Sequence, residues 1–245
     1  MAAPRFFCEQ IPAPESTLAL PNSVAHHIRV RRLKAGQTIV LFDGSGHESS
    51  AVLHFESSGQ AMATITATEA VDRELAWEIT LVQGVASQDR MDWIVEKAVE
   101  LGVSNLVPVL ADRSVIKLNA DRAQKRLAHW QKLVISASEQ CGRNRLMRIH
   151  TPCDAATAIK HCTDQPVLWC HVQENALAIA DARILQKVAA QKRVCLVIGP
   201  EGGFSDVEAR AWQAAGAQAV SLGPRVLRTE TAGVVAIASL TAAGQ

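Results

Sequence analysis

The chain has 245 residues, 48% of them apolar, enough for one large packed domain or two small ones. Its 25 basic and 24 acidic residues leave a formal net charge of +1, so the molecule as a whole carries no field for a polyanion, and any such surface must come from local clustering. Six cysteines are scattered without a Cys-x-x-Cys pair, which argues against a zinc site and a disulfide framework and favours free thiols in a reducing cytoplasm. The adjacent pairs His161-Cys162 and Cys170-His171 cannot easily turn one face toward a metal, so packing is expected of them and no metal site is expected. No charged-then-apolar leader and no apolar run long enough for a membrane span is present, and a cytoplasmic location is expected.

In chain order, residues 38–42, 50–54 and 61–66 read as short strands separated by turns such as Asp43-Gly44, the pattern of a small β-barrel. Before them, residues 26–34 hold Arg29, Arg31, Arg32 and Lys34 with no acid, either a phosphate-facing patch or a solvated helix surface. Residues 71–75 are the expected junction, giving domains at 1–72 and 75–245.

Beyond it strands and helices alternate. Strand 79–83 precedes a helix from about Asp89, on which Met91, Ile94, Val95, Ala98 and Leu101 recur at helical spacing until Gly102. Strand 106–110, helix 120–138, strand 167–170, helix 176–190, strand 194–198, a helix from Ser205 to Gly216, strand 219–222 and a final helix 232–243 complete the series, which predicts an α/β domain with a largely parallel sheet. Residues 122–148 form a second basic cluster, with Arg143 and Arg145 in a Gly-Arg-Asn-Arg loop as the stronger candidates for a nucleic-acid contact.

Two loops carry the chemistry. The first, Ile198-Gly-Pro-Glu-Gly-Gly203, ends an apolar β-branched strand, and its glycines let a ligand approach the main chain. Ser205 with Glu208 forms a capping box for the next helix. The loop has neither a Gly-Lys-Ser/Thr ending nor Gly-x-Gly-x-x-Gly spacing, and it carries Glu201 but no cation, so it favours an uncharged or cationic ligand over a phosphate. A plain strand-to-helix turn is the alternative. The second loop, Leu222-Gly-Pro-Arg-Val-Leu-Arg-Thr-Glu-Thr231, places Arg225 and Arg228 before a helix capped by Thr229 or Thr231, and that helix is apolar on most faces. Paired loops at the carboxyl ends of strands are where open α/β sheets bind ligands.

These two loops resemble the RsmE family, SPOUT-class methyltransferases that use S-adenosylmethionine on uridine N3 of 16S rRNA. Three further stretches are similar to it in order: Arg5-Phe-Phe7 with residues 26–31 and 41–44, then residues 89–103, then Glu139-Gln-Cys-Gly-Arg-Asn-Arg145. The chain departs in having no proline soon after that last motif and in having Gln88 before Asp89.

The resemblance implies a PUA-like RNA-binding domain at the N-terminus, then a SPOUT-type parallel sheet with helices on both faces whose C-terminal segment is threaded as a trefoil knot, and a homodimer. It implies that Ile198, Gly199, Gly202, Leu222, Gly223, Leu227 and Thr229 contact the donor, with His171 lining the same pocket. Glu201 would bond a donor hydroxyl or amine, or only cap a turn. Arg228 is the candidate catalytic cation. Arg225, with Arg29, Arg31, Arg32, Arg143 and Arg145, is a candidate for the RNA, reached within the small subunit. Glu230 would position Arg228 or only favour a helix start. Competing readings are a ribose 2′-O methyltransferase of the same class and a non-catalytic ribosome-assembly factor.

Overall fold

A computed structural model describes residues 3–243, apart from 172, 174 and 175. The chain divides into two units, residues 1–74 with 135–146, and residues 75–134 with 147–245.

The first unit contains β1 (Arg5–Phe7), β2 (Thr17–Ala19), α1 (Asn22–Val30), β3 (Thr38–Phe42), β4 (His47–Phe55) and β5 (Ala61–Ala70). The strands form one sheet in the order β1-β3-β4-β5-β2, with β1 parallel to β3 and the other pairs antiparallel. Side chains alternate across a strand: Ala51 and Leu53 of β4 and Ala61, Ala63 and Ile65 of β5 enter the core, where Val24 and Ile28 of α1 meet them. The expected strands are present, but no pairing joins β1 to β2 among the described residues, so the ladder has two edges instead of closing into a ring. The short β1 and β2 were not anticipated, and α1 overlaps residues 26–34, for which a solvated helix surface was one of the two readings.

The second unit contains β6 (Glu78–Gly84), α2 (Gln88–Glu100), β7 (Asn105–Val109), α3 (Ala120–Cys141), β8 (Arg148–Ile149), α4 (Ala155–Ile159), β9 (Val167–Cys170), β10 (Leu177–Ala178), α5 (Ala182–Gln191), β11 (Arg193–Ile198), α6 (Asp206–Ala214), β12 (Gln218–Ser221) and α7 (Thr229–Ala243). Only the last turns of α3 fall in the first unit. The seven strands pair in the order β10-β12-β9-β11-β6-β7-β8, every pair parallel. Every residue of β11 from Val194 to Ile198 is buried. Successive side chains point to opposite faces, so both faces of this strand are covered: α4 and α6 pack together, and α2 packs on α7, which rests on β6 and β11. The sheet grows outward in opposite directions from the β6–β11 pair, which makes their carboxyl ends the switch point of the topology.

Three expectations need correction. Residues 135–146 were assigned to the second domain but pack in the first unit, because Glu139 accepts a hydrogen bond from the Phe7 amide (3.0 Å) and the Asn144 amide donates to Glu48 (3.0 Å) and to the Val71 carbonyl (2.9 Å). Residues 176–190 are not one helix: Asp181 caps α5 by accepting from the Arg183 amide (2.9 Å), and the chain before it is the short edge strand β10. The cysteines are not all scattered in space, since Cys162 and Cys195, far apart in sequence, meet in the core with Cα atoms 5.7 Å apart. Cys8, Cys141, Cys153 and Cys170 are free.

Candidate active site

The strand β11 ends at Ile198, and the glycine loop turns back over the sheet edge. Two of the loop glycines each have their own reason. A Cβ on Gly202 would lie 2.6 Å from the Arg113 carbonyl oxygen, and Gly203 has φ of +67°. A neighbouring requirement falls on Gly84 at the end of β6, where a Cβ would overlap the backbone nitrogen of Pro200. The loop then enters α6 through the anticipated capping box: the Glu208 amide donates to Ser205 Oγ (3.3 Å) and the Ser205 amide to Glu208 Oε2 (2.7 Å). Buried Glu208 also accepts from the Asp112 amide (3.0 Å), which ties the segment after β7 to the start of α6.

The second loop is held from within. Ser221 Oγ accepts from the Gly223 amide (3.2 Å), and Gly223 turns with φ of +108°. The Thr229 hydroxyl does not cap α7. It donates across to the Gly199 carbonyl (2.6 Å) and accepts from the Gln83 side-chain amide (2.8 Å). Glu230 does not position Arg228 either. Its Oε1 lies 3.7 Å from Nε of Arg90, whose Nη1 is 2.9 Å from Glu201 Oε1. Thus Arg90, on α2, bridges a carboxylate from each loop.

These loops enclose a cavity of about 700 Å³. His171, Ile198, Gly199, Glu201, Leu227, Arg228 and Thr229 line it as expected, together with Trp169, Phe204, Arg90 and Arg113. A second cavity of about 330 Å³ adjoins it, sharing His171 and Leu227, and is lined by Leu222, Gly223 and Arg225. Gly202 lines neither; it gives the loop its close packing on Arg113. His171 is exposed and stacks on buried Trp169 at 4.3 Å, and Trp169 meets the edge of Phe204.

The electrostatics separate the three arginines of the larger cavity. Arg90 is paired with Glu201 and Glu230, and Arg113 with Asp206 (3.1 Å). The Arg228 side chain is exposed and pairs with no described residue. Burial pushes the Cys170 thiol up to about 12, so it lines the cavity as a neutral group and not as a nucleophile.

In the first unit Arg29, Arg31, Arg32 and Arg145 are exposed. Arg31 lies over the Phe6 ring at 5.8 Å, and Arg145 packs across Gly46, where a Cβ would lie 2.9 Å from its Nη2. Arg143 corrects the reading of its loop. It is 4% exposed and its guanidinium is bonded to both oxygens of Glu74, so it builds the unit and is not presented to a ligand. Among the described residues no cluster of three or more His, Cys, Asp or Glu side chains could hold a metal, and no helix is long and apolar enough to cross a membrane.

Comparison with known proteins accords with this geometry. The family described as RNA methyltransferase domain matches residues 73–241, and the family described as RNA methyltransferase PUA domain matches residues 20–61. A ribosomal RNA small subunit methyltransferase E of Mycobacterium bovis is 30% identical over 98% of this chain and 92% of its own. The chain belongs to the ribosomal RNA small subunit methyltransferase E family. A solved member of the family from Neisseria gonorrhoeae, bound to S-adenosyl methionine, superposes with a TM-score of 0.88 at 34% identity, covering 98% of both chains. A Legionella pneumophila protein solved with the bound cofactor SAM gives a TM-score of 0.90 at 30% identity, covering 99% of this chain and 98% of its own.

Trp169, Phe204, Arg90 and Arg113 on the cavity wall, and Gln83 outside it, were not among the expected site residues. Gln83 lies in an apolar strand with no motif around it, and its isolation as the one polar side chain between Val82 and Gly84 was the available signal. Arg90 lay in a stretch read for its helical spacing and its family resemblance, with no role given to the side chain.

Proposed function

We propose that the chain transfers the methyl group of S-adenosylmethionine to N3 of a uridine in 16S rRNA of the small ribosomal subunit. The observation that carries this reading is Arg228, an unpaired guanidinium on the wall of a cavity formed by two glycine-containing loops, where other arginines are neutralised. Uridine N3 has a usable lone pair only after losing its proton, and a fixed cation favours the resulting anionic ring.

The walls suit the donor, which is cationic and carries an adenine ring. They offer backbone groups at strand ends, the aromatic side chains of Trp169 and Phe204, and the Glu201 carboxylate. Ile198, Gly199, Glu201, Leu227, Thr229 and His171 would hold it from the larger cavity and Leu222 and Gly223 from the smaller, with Gly202 shaping the loop. When bound, S-adenosylmethionine supplies a methyl group already activated on a sulfonium. Arg228 stabilises the deprotonated base, and Arg225 orients the target nucleotide. Arg29, Arg31, Arg32 and Arg145 bind rRNA phosphates through the PUA-like unit. The same reading includes a trefoil-threaded C-terminus, dimerisation through the apolar α7, and action in the cytoplasm.

Nucleoside mass spectrometry of small-subunit rRNA, with and without the gene, tests the assignment. Loss of N3-methyluridine, restored by the wild-type gene and not by Gly199→Val, is expected. Loss of a ribose-methylated nucleoside instead would keep the site and overturn the substrate. No change in any nucleoside would overturn the enzyme reading. Arg228→Lys keeps the charge but loses the planar fork. Its kcat is expected to fall while calorimetric donor affinity stays near wild type; unchanged turnover would remove Arg228 from the chemistry.

A further inference from the structure

We propose that Gln83 is a positioning residue of this site, acting through Thr229 on both rims at once. The inference rests on the methyltransferase reading above. Gln83 is fully buried at the end of β6, outside the cavity walls, and its side-chain nitrogen makes two hydrogen bonds, to the Gly84 carbonyl (3.0 Å) and to Thr229 Oγ1 (2.8 Å). A carbonyl only accepts, so the first bond fixes which end of the amide is nitrogen. The amide therefore donates to Thr229, whose single proton is left to the Gly199 carbonyl at 2.6 Å. The result is a directed chain, amide to hydroxyl to carbonyl, in a dry setting where each bond polarises the next.

That chain joins three elements at the switch point of the sheet: the end of β6, the first residue of α7 and the first residue of the glycine loop. Thr229 directly follows Arg228, so the backbone that carries the free guanidinium is held by Gln83. A long side chain stabilises a developing anion only if its base is fixed before the reaction.

The test replaces Gln83 with Met, of similar volume and without a donor, and compares it with Thr229→Val and the double variant. The folded Gln83→Met enzyme is expected to lose kcat on the order of ten- to a hundredfold, the scale of a small misplacement of a catalytic group, with a much smaller change in KM for RNA. The double variant should be no slower than the worse single, since both remove the same chain. Amide exchange at Gly203 and Phe204 should speed up in Gln83→Met, a readout independent of methyl transfer. Wild-type kcat in folded Gln83→Met, or multiplicative losses in the double variant, would overturn the proposal. If the wild-type protein methylates no rRNA, the functional reading falls, and unchanged exchange would then show separately that no clamp exists.

Discussion

The two arginines of the Gly142-Arg-Asn-Arg145 loop look equivalent in sequence and do opposite work. Arg143 is buried against Glu74, and Arg145 is exposed over Gly46. Removing one partner of a buried pair leaves an uncompensated charge and costs about 3–5 kcal/mol. Arg143→Ala should therefore lower the denaturation midpoint markedly, while Arg145→Ala should leave stability within about 0.5 kcal/mol and weaken RNA binding. Equal stability of the two variants would refute this division. Nearby, Glu48 gathers Arg73 (2.8 Å), Arg5 (2.6 Å) and Asn144, and its carboxyl is held at about 2 in place of 4.5, first by the Arg73 hydrogen bond and against the opposing effect of burial. A depressed carboxyl contributes stability that is fully present above its unfolded value and is lost as pH falls through the folded one. Acid unfolding should thus draw on Glu48 between pH 4.5 and 2, and Glu48→Gln should flatten the stability curve in that window. Glu139, which burial raises, acts with the opposite sign, its contribution fading as pH rises through its titration.

Elements with a strong internal pattern were legible from sequence. The capping box of α6, the periodicity of α2 ending at Gly102, and strands β3 and β9 lie where residue type alone predicts them. Of the missed elements, β1, β2, β8, β10 and α4 are two to five residues long, too short for any period to register. The site was legible at its glycines and arginines because those residues need special backbone or charge. Its clasps were not, because Gln83 and Arg90 meet their partners on the two loops only after the sheet brings together residues as far apart as 146 positions. The closeness of β6 to the glycine loop carries its own prediction. Gly84→Ala would force a methyl into the Pro200 backbone. Overpacking of this kind costs about 1–3 kcal/mol, and here it must also part the rims, so donor affinity measured by calorimetry should fall about tenfold or more, each 1.4 kcal/mol being a factor of ten. Wild-type affinity in Gly84→Ala would mean that the rims do not need their observed spacing.

At the scale of the whole molecule, the puzzle is a nucleic-acid enzyme with a net charge of +1. The structure answers it by sequestering charge. Arg90, Arg113 and Arg143 are each paired with a carboxylate and Arg5 and Arg73 share Glu48, while Arg29, Arg32 and Arg145 are exposed on the first unit without an ion pair to any described residue. A molecule arranged in this way should bind RNA through a few phosphates and have little affinity for nucleic acid at large. Each phosphate neutralised by a cation releases counterions, and the slope of log affinity against log salt changes by roughly 0.7–0.9 per contact. Titration of a small-subunit rRNA fragment at several salt concentrations should give a shallow slope of about −2 to −4 on that scale, reduced by about one in each of Arg29→Ala, Arg32→Ala and Arg145→Ala. A slope unaffected by all three substitutions would place the RNA elsewhere on the chain, and a much steeper slope would mean that arginines now paired with carboxylates exchange them for phosphates on binding.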